Sequence, residues 1–254
     1  MFKEYKEKVL LGLGLLGLSL ILYAFHYLAF RDMHHILVFS FEHVAFIPIE
    51  VLLVTLIIEG AIEKKEKMKI MEKLNTLIGL FFSEVGLKLL KDFISSDSNI
   101  DKIRERLIIC KDCEDITFKE LKVLAQDYEY DVHIEKINLL ELKEFLNSLR
   151  NFLMGMMQNP YLLEHDTFTD LLKAVFHLQE ELNFRSSMDE IKERDKEHLK
   201  GDIIRIYKLI TYEWVVYMEY LKVEYPFMYA TALMNNPFDK RSIDEMERQI
   251  YKAS

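Results

Sequence analysis

Val9 to Phe30 carries no Asp, Glu, Lys or Arg. Wound as an α-helix at 1.5 Å per residue, the run reaches about 33 Å, which matches a hydrocarbon core of about 30 Å. A cleaved signal peptide would have a shorter apolar region, roughly 7–15 residues, followed by a small-residue cleavage site. Arg31-Asp32-Met33-His34-His35 follows instead, which favours a retained span. Gly12, Gly14 and Gly17 thin one end of this helix without forming a strict GxxxG. A second apolar segment runs from Ile36 to Ile62 and is interrupted by Pro48 and Glu50. It reads as one kinked spanning helix, or as a re-entrant piece over about 36–43 followed by a span over about 44–62. Proline removes a backbone donor and can bend a helix without ending it.

After residue 62 the pattern changes from continuous apolar runs to stripes. Ile70, Leu74, Leu77 and Phe81 form one stripe, and Phe82, Val85 and Leu89 a second. The spacing predicts a stalk helix over Glu63–Phe93 that ends buried between other helices. Ser95-Ser96-Asp97-Ser98-Asn99 predicts a loop. Short helices are expected at about 100–110 and 118–127, and a brief extended piece from Tyr128 to Ile134. Longer helices are expected at Leu139–Gln158 and Phe168–Asn183. The charged stretch Asp189–Lys200 reads as a solvated helix or helix end. Ile203, Tyr207, Ile210, Trp214, Tyr217 and Leu221 mark Asp202–Tyr225 as the central core helix, with Pro226 restarting or kinking it. Charges every few residues exclude a third span there. Capping-box patterns stand at Thr117/Glu120, Asn138/Glu141, Ser187/Glu190 and Ser242/Glu245, with a weaker one at Thr167/Asp170.

The predicted fold class is therefore all-α. A transmembrane helical hairpin occupies residues 1–62, with helices at about 9–30 and 36–62. An all-helical cytoplasmic domain occupies residues 63–254. The composition agrees: 8 Gly and 4 Pro in 254 residues are too few for a many-turned β architecture, and two Cys exclude a disulfide scaffold. With 33 Lys+Arg against 42 Asp+Glu, the net charge of -9 argues against nucleic acid as a partner, because phosphates are bound mainly by Lys and Arg. Lys3, Lys6 and Lys8 precede the first helix, and Lys64, Lys65, Lys67 and Lys69 follow the second, whereas the turn between them holds only Arg31 with Asp32. The positive-inside rule then places both termini in the cytoplasm and the hairpin in the cytoplasmic membrane.

Three groups of residues are candidates for chemistry. His35, Glu42, His43 and Glu50 fall in one helical stripe, with Phe39 and Phe46 between them. A carboxylate at mid-bilayer costs about 2.5–3.5 kcal/mol on insertion scales. One reading is a polar face lining a pore, proton path or cation site. The other places Glu42 and His43 at the outer interface, with Glu50 protonated or bonded to a neighbouring helix. Both need Glu50 to face protein or water, so a homo-oligomer is expected. Cys110 and Cys113 form a lone CxxC. Structural zinc needs four ligands, and a redox CxxC belongs near a βαβ unit, so the pair reads as an incidental reduced one. His177 with Glu180 or Glu181 has helical spacing, and with Glu164, His165 and Glu213 it outlines a partial metal half-site of the helical-bundle kind. The plainer alternative is a buried His bonded to an acid, with Glu164-His165-Asp166 ordering a helix start. Walker A, Rossmann, HExxH, GxSxG and potassium-filter motifs are absent, and no cofactor is expected.

Several segments together carry a family resemblance: IPIEVLLVTLIIEG (47–60), LNTLIGLFFSEVG (74–86), NPYLLEHDTFTDLL (159–172), VFHLQEEL (175–182), YEWVVYMEYLKVEYPF (212–227) and NNPFD (235–239). Over about residues 44–239 the chain resembles an uncharacterised family of prokaryotic two-span membrane proteins. The resemblance implies a membrane hairpin carrying a helical cytoplasmic domain. It brings no catalytic residue and no substrate. The expectation is a homo-oligomeric membrane-anchored sensor or scaffold, with a protein partner of unspecified kind. A channel or transport pore is the alternative, and a membrane-anchored metal protein the third reading.

Overall fold

The structure, a computed structural model, describes residues 2–108, 115–163, 165–185, 191–241 and 245. The chain divides into two compact units, one up to Lys67 and one from Met68 onward, and the boundary falls inside the second helix.

The first unit holds α1 (Phe2–Phe30) and the greater part of α2 (Met33–Phe81). The connection is only Arg31 and Asp32. Arg31 takes a left-handed backbone, φ 47°, and its amide donates to the Tyr27 carbonyl at 2.8 Å, closing α1. Asp32 Oδ1 accepts from the His35 amide at 3.0 Å and caps α2, as an N-cap aspartate should. Helix α2 runs unbroken through Pro48, so the re-entrant alternative gives way to a single helix. A proline deletes one ladder bond, and the apolar neighbours on both sides retain their own. Both helices are long and apolar enough to cross a membrane, by length and composition. Every large apolar side chain described from Leu10 to Ile62 is exposed, except Ile36. Past Ile62 the helix turns polar, and Glu63 pairs with Lys67 across one turn at 2.9 Å.

The second unit continues from the end of α2 through a π-helical turn, Phe82–Gly86, into α3 (Leu87–Ser96). Then come α4 (Asp101–Leu107), α5 (Asp115–Asp127), α6 (Leu139–Ser148), α7 (Arg150–Met157) and α8 (Pro160–Leu163). The last three are α9 (Asp166–Phe184), α10 (Glu193–Glu224) and α11 (Pro226–Met234). The all-α class holds: among the described residues no strand occurs. The expected extended piece makes one antiparallel bridge, Asp97 to Val132, ahead of a short 3₁₀ turn at Ile134–Lys136.

Three boundaries differ from expectation. The helix foreseen over Leu139–Gln158 breaks at Leu149, where Ser148 Oγ donates to the Phe145 carbonyl at 2.7 Å. A hydroxyl that bonds back to its own turn competes with the ladder and bends it. The charged stretch is the first part of α10, which begins at Glu193 and not at Asp202, because Leu199 is buried in the core. Helix α9 is capped by His165, whose Nδ1 accepts from the Phe168 amide at 3.3 Å; Thr167 is used elsewhere. Asn138 does cap α6, accepting from the Glu141 amide at 3.1 Å. The other three boxes rest on side chains outside the described residues.

Helix α10 is the centre of the core. It packs against α3, α5, α9 and α11 and buries Ile203, Tyr207, Ile210, Trp214, Met218 and Leu221. The π turn sets Phe81 and Phe82 into the same core. Phe81 meets Phe168 edge-on at 5.2 Å, while Phe82 meets Trp214 edge-on at 5.2 Å and stacks on Tyr217 at 5.5 Å. Such offset and edge-on arrangements follow the ring quadrupole. At Gly79 a Cβ would lie 2.6 Å from the Tyr217 hydroxyl, so the close approach of α2 to α10 requires glycine there.

Candidate functional site

In the first unit, the polar stripe of α2 separates into two faces. His35, Phe39 and His43 form a ladder of rings, with centroids 5.3 and 5.5 Å apart. The ladder is continued on α1 by His26, whose ring stacks on His35 at 6.0 Å. These rings, with Ser19 and Tyr23, line a groove of about 400 Å³. His26 Nδ1 is sealed there without a hydrogen-bond partner. Glu42 lies instead in a separate groove with His34, Val38 and Phe41. The reason is geometric: successive residues stand about 100° apart around a helix, so Glu42 and His43 occupy opposite edges of the stripe. Glu50 is exposed, two turns beyond His43. His26 was missing from the sequence-derived set. Its signal is the spacing Ser19, Tyr23, His26, which puts three polar groups on one face of an otherwise apolar helix.

In the second unit, the residues proposed as one metal half-site belong to separate clusters. Glu213 is fully buried on α10, and its Oε1 accepts from Thr167 Oγ1 at 2.5 Å. Its Oε2 has no partner. Burial raises this carboxyl above its ordinary value, against the opposing pull of the Thr167 hydrogen bond and of His165. Burial in that setting favours the protonated form of the carboxyl. His165 serves the start of α9 and does not approach His177 as a co-ligand.

Neither acid next to His177 serves it. Glu181 is held by Arg185 at 2.8 Å, and that hydrogen bond keeps its carboxyl below the usual range. Glu180 faces Arg150 at 4.0 Å. His177 Nε2 instead lies 3.6 Å from Asp202 Oδ2, across the packed pair α9 and α10. His198 Nε2 lies 3.5 Å from the same oxygen. His198 stood in the stretch read as solvated and Asp202 at the start of the expected core helix, and their i,i+4 spacing is the signal that marks them. Glu164, Cys110 and Cys113 lie outside the described residues.

A further polar network, not foreseen, joins the end of α3 to the 128–134 segment. Tyr128 donates to Asp97 Oδ2 at 2.9 Å, and Asp97 Oδ1 accepts from the Asn99 amide at 2.8 Å. Tyr130 donates to the Ala125 carbonyl at 2.7 Å and meets Tyr207 edge-on at 4.6 Å. Burial pushes the Tyr128, Tyr130 and Tyr207 hydroxyls up, so all three remain protonated; Tyr128 and Tyr130 donate, and the Tyr207 hydroxyl is buried without a partner. The network reads as structural.

Comparison with known proteins gives one consistent result. A family described as "MJ1433, N-terminal helical domain" matches residues 2–62. A second, described as "Uncharacterized protein MJ1433, C-terminal helical domain", matches residues 70–234. The match thus reaches back over α1, further than the segments that carried the resemblance in the sequence. The uncharacterized protein MJ1433 of Methanocaldococcus jannaschii is 44% identical over 240 residues, covering 94% of this chain and 96% of its own. No solved structure matches.

Proposed function

The chain belongs to the MJ1433 family, with helical N- and C-terminal domains, and on that premise we propose that it is a membrane-anchored, homo-oligomeric sensor or scaffold. Helix α1 and the apolar part of α2 cross the cytoplasmic membrane as a hairpin, and the acidic helical unit works on the cytosolic side. One observation carries this reading. The large apolar side chains of Leu10–Ile62 are exposed, while those of the second unit are packed into a core. Each would forgo roughly 1.5–3 kcal/mol of burial if left in water. Lipid supplies what the fold does not, and the short Arg31-Asp32 turn suits a hairpin that barely emerges on the far side.

Glu50 supports the oligomer. It is exposed within the apolar part of α2, and a carboxylate facing hydrocarbon is costly. A second copy of the hairpin supplies the protein or water neighbour it needs. Full-length protein in lipid nanodiscs is therefore expected to run as a defined multimer by native mass spectrometry, and Glu50→Gln to shift that assembly. A monomer at every lipid-to-protein ratio would remove the oligomeric part of the proposal. The groove lined by His26, His35 and His43 favours a second reading, an ion or proton path. That reading requires flux in proteoliposomes that changes with Glu50→Gln, and absence of flux would exclude it.

A further inference from the structure

His177 stands on α9, and His198 and Asp202 stand one turn apart on α10. One nitrogen of each imidazole and one carboxylate oxygen lie within 4.8 Å of one another. The two rings are nearly perpendicular, at 82°, with centroids 6.3 Å apart. The Asp202 side chain is only 13% exposed, and its Oδ2 is sealed from solvent with no hydrogen-bond donor. The imidazoles are 46% and 55% exposed, so the cluster is open to water at its two rings. A buried carboxylate oxygen without a donor is expensive to maintain. A cation seated between that oxygen and the two ring nitrogens removes the expense.

We propose that His177, His198 and Asp202 bind one first-row divalent transition cation. The donor set selects the class: imidazole suits Zn²⁺, Co²⁺ and Ni²⁺, whereas Mg²⁺ and Ca²⁺ take shells built from oxygen. Bonds of about 2.0–2.1 Å in a tetrahedral shell place ligand atoms about 3.3 Å apart. The observed separations of 3.6 and 3.5 Å from Asp202 Oδ2 need only a small closure. Two half-exposed imidazoles can supply it by side-chain rotation. The i,i+4 pair on α10 gives two ligands on one face, and α9 gives the third, so the ion clips together the two helices. Three protein ligands leave a position open to water on the exposed side. Glu181 does not complete the shell, because Arg185 holds it, and Glu180 lies on the side of Arg150, 4.0 Å away. The site is independent of the membrane reading and is distinct from the Glu213 cluster.

The test uses full-length protein in detergent, carrying Cys110→Ser and Cys113→Ser so that thiolates contribute nothing. After chelator stripping, Zn²⁺ is titrated against a chromogenic competitor, and Co²⁺ is followed by its visible absorption. The proposal predicts one Zn²⁺ per chain and a Co²⁺ spectrum of low coordination number. His198→Ala and Asp202→Asn each weaken binding by at least about 10–100-fold, the range produced by losing even an outer partner of a metal ligand. His133→Ala, at an exposed imidazole outside the cluster, leaves binding unchanged. Zn²⁺ raises the melting temperature of the parent and not of His198→Ala, while far-UV circular dichroism of the metal-free variants matches the parent. Absence of stoichiometric Zn²⁺, affinity equal to the parent's in His198→Ala and Asp202→Asn, or loss of binding with His133→Ala would each overturn the proposal.

Discussion

Replacing Trp214 with alanine is expected to cost about 3–5 kcal/mol of folding free energy. That is a large share of the roughly 5–15 kcal/mol available to a typical domain. The side chain is 1% exposed at the middle of α10, and its ring is packed by Phe82 from the π turn and by Tyr217 one turn on. Removing it leaves a cavity that these neighbours cannot fill, since Phe82 is itself fixed between Phe81 and Tyr217. Trp214→Phe is expected to cost less than half as much. The indole Nε1 has no partner, so phenylalanine gives up volume and no hydrogen bond. The chain has a single Trp, so the parent's unfolding in urea is followed by its fluorescence and that of the variants by far-UV circular dichroism. Equal losses in the two variants would show that the indole N–H, not ring packing, holds the cluster.

The second large effect concerns pH. Glu213 is buried, with its carboxyl raised by desolvation and only partly drawn down by Thr167 and His165. A carboxyl whose folded pKa lies above its unfolded value binds its proton more tightly in the native state. Its contribution to stability is therefore complete below the ordinary value of 4.5 and is lost as pH rises through the folded value. In that window the loss approaches about 1.4 kcal/mol per pH unit for the one proton. Glu213→Gln keeps an acceptor for the Thr167 hydroxyl and carries no titrating proton. Denaturant melts from pH 4 to pH 9 should show the parent losing stability relative to Glu213→Gln as pH rises, with the variant the more stable at the alkaline end. Parallel curves for the two proteins would mean that folding leaves the proton affinity of the Glu213 carboxyl unchanged.

The sequence revealed elements wherever one physical signal dominated. The charge-free run of Val9–Phe30, the core stripe through Trp214 and the Asn138 cap all appear where expected, because each rests on local spacing or local chemistry. It failed where two signals competed. Ser148 breaks a helix that its neighbours favour, and no Gly or Pro announces it. The π turn at Phe82–Gly86 leaves the apolar stripes intact and so goes unseen. The charged stretch is helical as expected, but its continuity with the core helix went unseen, because Leu199 is one buried apolar residue among many polar ones. The candidate sites failed for a different reason. Helical spacing proposes partners within an element, so Glu180 and Glu181 were natural choices for His177. Arg150 and Arg185 claim those acids, and the carboxylate that meets His177 comes from another helix. Capping by His165 agrees with the helix start expected at Glu164-His165-Asp166, whereas Thr167, offered by the weaker capping pattern, is turned toward the buried Glu213 of α10.

Thiol mapping of an anchored hairpin decides whether α1 and α2 cross a bilayer. In a Cys110→Ser, Cys113→Ser background, Asp32→Cys and Lys240→Cys are labelled in turn with a membrane-impermeant maleimide, on intact cells and after lysis. The proposed topology predicts that Asp32→Cys reacts from outside, that Lys240→Cys reacts only after lysis, and that alkaline carbonate leaves the full-length protein in the membrane pellet. Labelling of Lys240→Cys on intact cells, or release of the protein into the carbonate supernatant, would contradict it.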